Sequence, residues 1–472
     1  MIFAARGCKN TPAMKILLIH PRLEDNFFQE AALPPMGLAF VAGALRAAGH
    51  RDVRILDANL SKDQMADVGN AMRSHPPDIV GISLTTPLLE TALRISRAIK
   101  GLRPEAKIIF GGVHPSLFPM ETAREWSVDH VVFGEGERTI VELVEALRGN
   151  RGPDGVAGVA YRKDGAVMRN ARRPLTENLD DLPSPAYDLL PLRKYFDPLA
   201  ARRPFTTMIT SRGCPFPCIF CNTSAVLGKR YRAESPRRVL EEVKLLVREH
   251  GIREIMFKES EFTLDQERTR EFCALLVRQK LDIVWSCNGH VGRMPLPLLE
   301  DMRRAGCRII QYGVESGDQD VLDRLKKGTT IPEIRETFAV TRRAGIRTVA
   351  NLMIGNPGET REAILRTIDL ARSLRADYAN IQVLTPFPGT ELHGMALRNG
   401  WFLDAADPER LRTDTFTMNA TRLSTEELRG MFRKAYRSFY LRPGYLLSRL
   451  FTLNPHEWRM NVKGLFKLLG IA

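Results

Sequence analysis

The 472-residue chain predicts an α/β protein in which a doubly wound parallel sheet is followed by an open partial barrel and a C-terminal helical region. Three observations carry this. Short aliphatic and β-branched runs alternate with amphipathic segments of helical period from Lys15 to about Arg148. A proline-rich polar stretch from Pro174 to about Pro204 interrupts that rhythm, and beyond it the alternation restarts. One core does not usually organise so long a chain, because domains run to roughly 100 to 200 residues.

In the first part the strand candidates are Lys15 to His20, Val53 to Asn59, Ile79 to Leu84, Lys107 to Gly112 and His130 to Glu135, each followed by a segment long enough for a crossover helix. Five parallel strands are expected. VAGVAYRKDGAV, with its Asp164-Gly165 turn, reads as a hairpin. After the linker, strands are expected near Thr206 to Gly213, Glu254 to Ser260, Val284 to Gly289, Ile309 to Ser316, Thr348 to Gly355 and Tyr378 to Thr385, which makes six βα units. Ser424 with Glu427 forms a capping box that opens a helix, along which Leu428, Met431, Phe432, Ala435, Tyr436 and Phe439 share a face. The expected divisions are therefore 1–150, 151–204 for hairpin and linker, 205–400, and 401–472.

Composition is that of a folded protein, with 44% apolar and 26% charged residues. No apolar run approaches the roughly 18 residues that span a bilayer, and the N-terminus lacks an export signal, so a cytoplasmic location is expected. Seven cysteines, an odd number, argue for metal or redox chemistry over a disulfide framework. The net charge of +14 suggests an anionic partner without choosing among nucleic acid, phospholipid headgroups and phosphorylated substrates, or reflects a generally basic surface.

The strongest local signal is SRGCPFPCIFCN, which sets Cys214, Cys218 and Cys221 at CxxxCxxC spacing directly after the first barrel strand. A structural zinc site wants a fourth Cys or His at a short spacing, and none follows Cys221 within the loop. An iron-sulfur cluster with three protein ligands leaves one iron open to a substrate or cofactor. Cys273, Cys287 and Cys307 are scattered and read as buried core thiols.

This spacing, with the aromatic Phe220 before the third cysteine, resembles the radical S-adenosylmethionine superfamily, whose corresponding loop holds a 4Fe-4S cluster. The resemblance implies a partial (β/α)6 TIM-type barrel with side chains at the C-terminal strand ends facing the cluster. FKESEF looks like the second-strand motif that holds the methionine amine, which points to Glu259 and Glu261; many relatives carry Asp where Glu261 stands, and both acids could instead be solvated loop residues. SCNGHVGR offers Asn288 and Arg293, and GVESGDQDVLDRLKKG offers Glu315, as ribose and carboxylate contacts. LMIGNPGET and IQVLTPFPGT complete the pattern at the fifth and sixth strands.

Ligands of open parallel sheets bind beyond the C-terminal strand ends, at the switch in strand order. Three glycine-rich turns lie there. GISLTT supplies Ser83, Thr85 and Thr86; FGGVHPS supplies Gly111, Gly112 and His114; FGEGE supplies Gly134, Glu135 and Gly136. These could be ordinary caps and tight turns. Together with the cysteine triplet they resemble the Rossmann-like cobalamin-binding domains fused to radical S-adenosylmethionine domains, and the resemblance extends from about Lys15 to Tyr440. It implies S-adenosylmethionine, a 4Fe-4S cluster and cobalamin as cofactors, and an electron donor such as flavodoxin or ferredoxin. No Asp-x-His-x-x-Gly occurs in the chain, so no histidine ligand to cobalt is expected, His114 being the tempting substitute.

The resemblance implies a cobalamin-dependent C-methyltransferase acting on an unactivated carbon of a small-molecule or lipid substrate. A radical cyclase or rearrangement enzyme acting on a lipid or tetrapyrrole-like substrate is the alternative. An RNA-modifying methylthiotransferase fits less well, because only Cys8 precedes the linker, and nucleic acid is not expected as a partner. Finally, Trp458, Val462, Leu465 and Leu469 recur at helical spacing beside Arg459, Lys463 and Lys467. Such a segment either packs on the barrel or lies at an anionic membrane surface, a peripheral inner-face location.

Overall fold

Strand Ile16–His20 (β1) sends Leu17 and Ile19 to one side of a sheet and Ile16 and Leu18 to the other, and both pairs are buried. Burial on both faces is what a parallel sheet covered by helices demands. The same alternation runs through Ile79–Ser83 (β3) and Lys107–Gly111 (β4), where Val80, Ile82, Ile108 and Phe110 join one core and Ile79 and Ile109 the other. These features come from a computed structural model, which describes residues 14–23, 31–403, 411, 413 and 415–450, without the side chains of 447–450. Cys8 and the segment around Trp458 to Leu469 lie outside the described residues.

The chain divides into two compact units, one of Met1–Tyr195 with Thr223–Gly228, the other of Phe196–Asn222 continued from Lys229. In the first, Val53–Asp57 (β2), His130–Val132 (β5), Val159–Lys163 (β6) and Ala166–Arg169 (β7) complete a seven-stranded sheet of order β2-β1-β3-β4-β5-β6-β7. The five expected parallel strands are present. The hairpin is no mere preface to the linker: it adds two antiparallel strands to the edge at β5. Strand β5 is shorter than expected, ending at Val132, two residues before Gly134, whose φ of 84° takes the chain out of extended geometry. Beyond the hairpin, Leu179, Leu182, Tyr187 and Tyr195 are buried, so the proline-rich stretch as far as Tyr195 is ordered packing within this unit. The short helix Thr223–Leu227 also belongs here, its Ala225 and Val226 carbonyls accepting from Arg172 Nη2 at 3.2 and 3.0 Å.

The second unit is built on Phe205–Met208 (β8), Glu254–Phe257 (β11), Val284–Gly289 (β12), Cys307–Glu315 (β13), Arg347–Ile354 (β14) and Tyr378–Val383 (β15). All five pairings are parallel, in the order β15-β14-β13-β12-β11-β8. The expected first strand divides. After Met208 the main chain leaves the sheet, the Thr210 carbonyl accepts from the Glu234 amide at 2.9 Å, and Ser211–Arg212 (β9) pairs antiparallel with Arg232–Ala233 (β10). The cysteine loop is thereby anchored on a small ribbon of its own.

Helix Thr425–Tyr440 opens with the expected capping box and buries Leu428, Met431, Ala435 and Phe439. Tyr436 and Tyr440 donate to the β15 carbonyls of Ile381 (2.8 Å) and Ala379 (2.6 Å). These bonds satisfy outward-facing groups of an edge strand. Among the described residues, no helix is long and apolar enough to cross a membrane.

Candidate active site

The cysteine loop is fixed by Ile219. Its amide donates to the Leu325 carbonyl (3.1 Å), its carbonyl accepts from Leu392 N (2.9 Å), and its side chain is buried with Val321, Leu325, Met353 and Leu392. Phe220 packs partly buried against the same cluster, so in this structure its ring serves the loop's footing. Cys214, Cys218 and Cys221 are half-buried and none is in a disulfide; Cys273, Cys287 and Cys307 are buried core thiols, as expected. Burial raises the Cys214 thiol and pushes that of Cys218 up to about 11. Ligation by a metal holds such thiols deprotonated.

Beside the loop, strand β13 ends on Glu315, a residue at φ 61° where the register with β14 shifts. Its carboxylate accepts from Lys327 Nζ at 2.9 Å. Gly313 makes room for the pair: a Cβ there would stand 2.3 Å from Glu315 Oε1 and 2.6 Å from Lys327 Nζ. Burial opposes the charge on Lys327, but Glu315, Cys218 and Glu261 together hold its ammonium above the ordinary lysine value. Lys327 sits in LKKG, and nothing local in the sequence marks it as a site residue.

Glu259 and Glu261 prove different in kind. Glu259 is fully enclosed and accepts from the Thr210 hydroxyl at 2.7 Å, and that hydroxyl accepts from Arg268 Nη2 at 2.8 Å. Glu261 is half-buried, with one carboxylate oxygen buried and unpartnered. Its carboxyl is pushed up to about 7 by burial, against the pull of Lys327. The solvated-acid alternative is thereby corrected: neither side chain is a loop acid in water. Asn288 Nδ2 donates to the Glu259 carbonyl (2.8 Å), which ties β12 to this turn, and Arg293 is exposed, with its guanidinium 5.8 Å from the Phe216 ring.

In the first unit the strand order reverses between β1 and β3, so the crevice lies at His20 and Ser83. Thr85 is exposed there, whereas Thr86 is buried and its hydroxyl lies 3.2 Å from His114 Nδ1. Gly112, at φ 102°, is needed because a Cβ would meet the Leu84 carbonyl at 2.7 Å. Gly134 N donates to Ser116 Oγ (3.0 Å), and Gly136 begins helix Gly136–Arg148. Glu135 turns inward to accept from Thr176 N at 2.7 Å. His114 is not the only histidine at these strand ends. His20 closes β1 in register with Asp57, its ring hydrogen-bonds the Ser83 backbone, and Asp57 accepts from Tyr195 OH at 2.9 Å. Its signal in the sequence was its place as the last residue of a strand at the switch point.

Donor chemistry tests whether the implied groups fit. Three half-buried free thiols presented by one loop suit a cluster with an open position. The orphaned Glu261 oxygen and the Lys327–Glu315 pair beside them suit a zwitterionic ligand. The crevice in the first unit ends in small residues and hydroxyls, which suit a bulky cofactor tail.

Residues 208–371 match the Radical SAM superfamily and residues 30–144 match the B12 binding domain. The chain is 35% identical to an uncharacterized methyltransferase of Pyrococcus horikoshii, over 96% of this chain and 98% of that one. The chain belongs to the cobalamin-binding radical S-adenosylmethionine enzymes. As a member of that family it uses a 4Fe-4S cluster, S-adenosylmethionine and cobalamin. It is also 30% identical to the anaerobic magnesium-protoporphyrin IX monomethyl ester cyclase of Rubrivivax gelatinosus, over 92% of this chain and 78% of the cyclase. In fold this radical S-adenosylmethionine enzyme is similar to the methyltransferase TsrM from Kitasatospora setae, with a TM-score of 0.73 at 18% identity, covering 92% of this chain and 90% of that one.

Proposed function

We propose that this enzyme transfers a methyl group to an unactivated carbon of a small-molecule or lipid substrate. The observation that carries the reading is the similarity, over nearly the full length of both chains, to a protein described as a methyltransferase. When bound, the cluster supplies the electron that opens the sulfonium bond of S-adenosylmethionine, and cobalamin supplies a carrier for the methyl group.

The chain's own residues hold and orient these groups. Cys214, Cys218 and Cys221 ligate the cluster, and Ile219 keeps their loop on the barrel. Lys327 offers a charge-assisted donor to a carboxylate, while Glu315 and Glu261 offer acceptors to an ammonium. Asn288 and Arg293 complete this binding face, with Glu259 bracing the turn from behind through Thr210. In the first unit Ser83, Thr85, Gly111 and Gly112 border the cobalamin crevice, with Thr86, His114, Gly134 and Gly136 shaping its turns. An electron donor such as flavodoxin or ferredoxin would supply the electron that the cluster needs.

A second reading, ring closure or rearrangement without methyl transfer, is favoured by the similarity to the cyclase. The test is anaerobic incubation with methyl-labelled S-adenosylmethionine, reductant, cobalamin and lipid or pigment extracts, followed by mass spectrometry. Label in a product supports methylation. 5′-Deoxyadenosine released with an unlabelled, altered product favours the second reading.

A further inference from the structure

One buried polar atom beside the cysteine loop has no structural employment. His290 follows β12 and is 6% exposed. Its ring stacks on Phe216 with centroids 4.1 Å apart and planes inclined by 21°. Phe216 is the middle of the Cys214–Cys218 spacer, so the imidazole lies directly against the segment that presents two of the three thiols.

The hydrogen-bonding state of this ring follows from its neighbours. Nδ1 lies 2.5 Å from the carbonyl oxygen of Val291. A carbonyl only accepts, so Nδ1 carries the proton, and in a neutral imidazole Nε2 must then hold a lone pair. Burial pushes the His290 pKa down to about 4, with Lys327 acting in the same direction, which keeps the ring neutral. Nε2 is buried, and no donor among the described residues reaches it. Buried acceptors without a donor are uncommon and call for an explanation, because each forfeits the hydrogen bond it had in water.

The groups that act on the ring electrostatically are Lys327, Arg293 and Glu333, and Lys327 is the ammonium that also acts on Cys218, Glu315 and Glu261. The ring therefore stands against the cysteine loop, through Phe216, among the charges that also act on that loop. We propose that His290 Nε2 accepts a hydrogen bond from an N–H or O–H group of S-adenosylmethionine seated on that loop, which makes His290 a binding residue for this cofactor. The inference rests on the reading that the triplet carries the cluster at which S-adenosylmethionine binds. Phe216 and Val291 between them fix both the plane of the ring and its tautomer, so the acceptor is in place before the ligand arrives.

The test uses full-length protein with its cluster reconstituted anaerobically, and reads equilibrium binding of S-adenosylmethionine alongside iron and sulfide content. His290→Phe keeps the stack on Phe216 and removes the acceptor; His290→Gln restores a carbonyl acceptor. The expected result is unchanged cluster content with about tenfold weaker binding for His290→Phe, the scale of one hydrogen bond, and partial recovery for His290→Gln. Should His290→Phe lose its cluster, His290→Leu read the same way against His290→Gln decides. Equal binding by wild type and an acceptor-less variant with intact cluster overturns the inference and assigns Nε2 to a structural water. Failure of the wild type itself to bind S-adenosylmethionine overturns the underlying reading instead, so the two failures are distinct.

Discussion

Lys327 and Glu315 meet at 2.9 Å with side chains 12% and 9% exposed, in a space that exists because residue 313 has no side chain. Breaking a buried pair from one side leaves the other charge without compensation. Lys327→Met should therefore lower stability by about 3 kcal/mol and sharply reduce S-adenosylmethionine cleavage. Thermal melting and 5′-deoxyadenosine yield are the measurements. Adding Glu315→Gln should recover much of the melting temperature and none of the cleavage; recovery of both would show that the pair is structural only.

Gly313→Ala tests the same geometry without touching a charge. The added methyl must displace both Glu315 and Lys327, since it would lie 2.3 and 2.6 Å from them. Overpacking of this kind costs about 1 to 3 kcal/mol. The expected phenotype is a folded, cluster-bearing protein with weakened S-adenosylmethionine binding, checked by iron content and equilibrium binding. Wild-type affinity in this variant would mean that the pair has no part in the site.

Much of this was legible in the sequence because it depends on local chemistry. Buried parallel strands require long aliphatic runs, and those at β1, β3 and β4 were unmistakable; the Cys214–Cys221 loop carries its meaning in its spacing. What escaped depends on contacts far apart in the chain. Nothing around Asp164-Gly165 reveals that its hairpin pairs with β5, because Val131 meets Ala160 only after folding. Lys327 and His290 lie in ordinary-looking contexts, and their importance comes from Glu315 and Phe216, neighbours supplied by separate elements. The reverse also holds: Glu135 and Glu259 stand in suggestive motifs, yet their carboxylates are engaged with Thr176 and Thr210.

A pH effect follows from Glu359, which is enclosed and accepts from Gly355 N (2.8 Å), Asn356 N (3.0 Å) and Asn356 Nδ2 (3.0 Å). Burial pushes its carboxyl from 4.5 up to about 7, the hydrogen bonds pulling the other way. Between those values the folded protein binds more protons than the unfolded one, so this residue's contribution to stability declines as pH rises from about 4.5 to 7 and is level above. The full span is on the order of 3 kcal/mol. Glu359→Gln should lack this slope. Denaturant titrations of both proteins across that range provide the check, and parallel curves would contradict the assignment.

Replacing Cys214, Cys218 and Cys221 together with Ala should abolish the brown cluster absorption and 5′-deoxyadenosine formation. Cobalamin binding should survive, because the crevice at β1 and β3 is made by a different unit with its own core. Visible absorption and cobalamin retention on gel filtration are the readouts. A cluster retained by the triple variant would sink the ligand assignment.

The last prediction concerns the lower face of the cobalt. No Asp-x-His-x-x-Gly is present in the sequence, and each of the two histidines at the strand ends already has one hydrogen-bond partner within its own unit. His114 has Nδ1 at 3.2 Å from the Thr86 hydroxyl and its ring against Phe118, and burial pushes its pKa down to about 4. His20 is lowered by burial too, is held by the Ser83 backbone and faces the Asp57 carboxylate that Tyr195 also binds. Protein loaded with cob(II)alamin should therefore show an electron paramagnetic resonance spectrum without nitrogen superhyperfine splitting from a protein imidazole, and His114→Ala and His20→Ala should leave that spectrum unchanged. Splitting that disappears in His20→Ala would place the ligand at the end of β1, and splitting that disappears in His114→Ala would place it after β4. Either result would mean that the ring nitrogen not held by Ser83 or Thr86 reaches the cobalt.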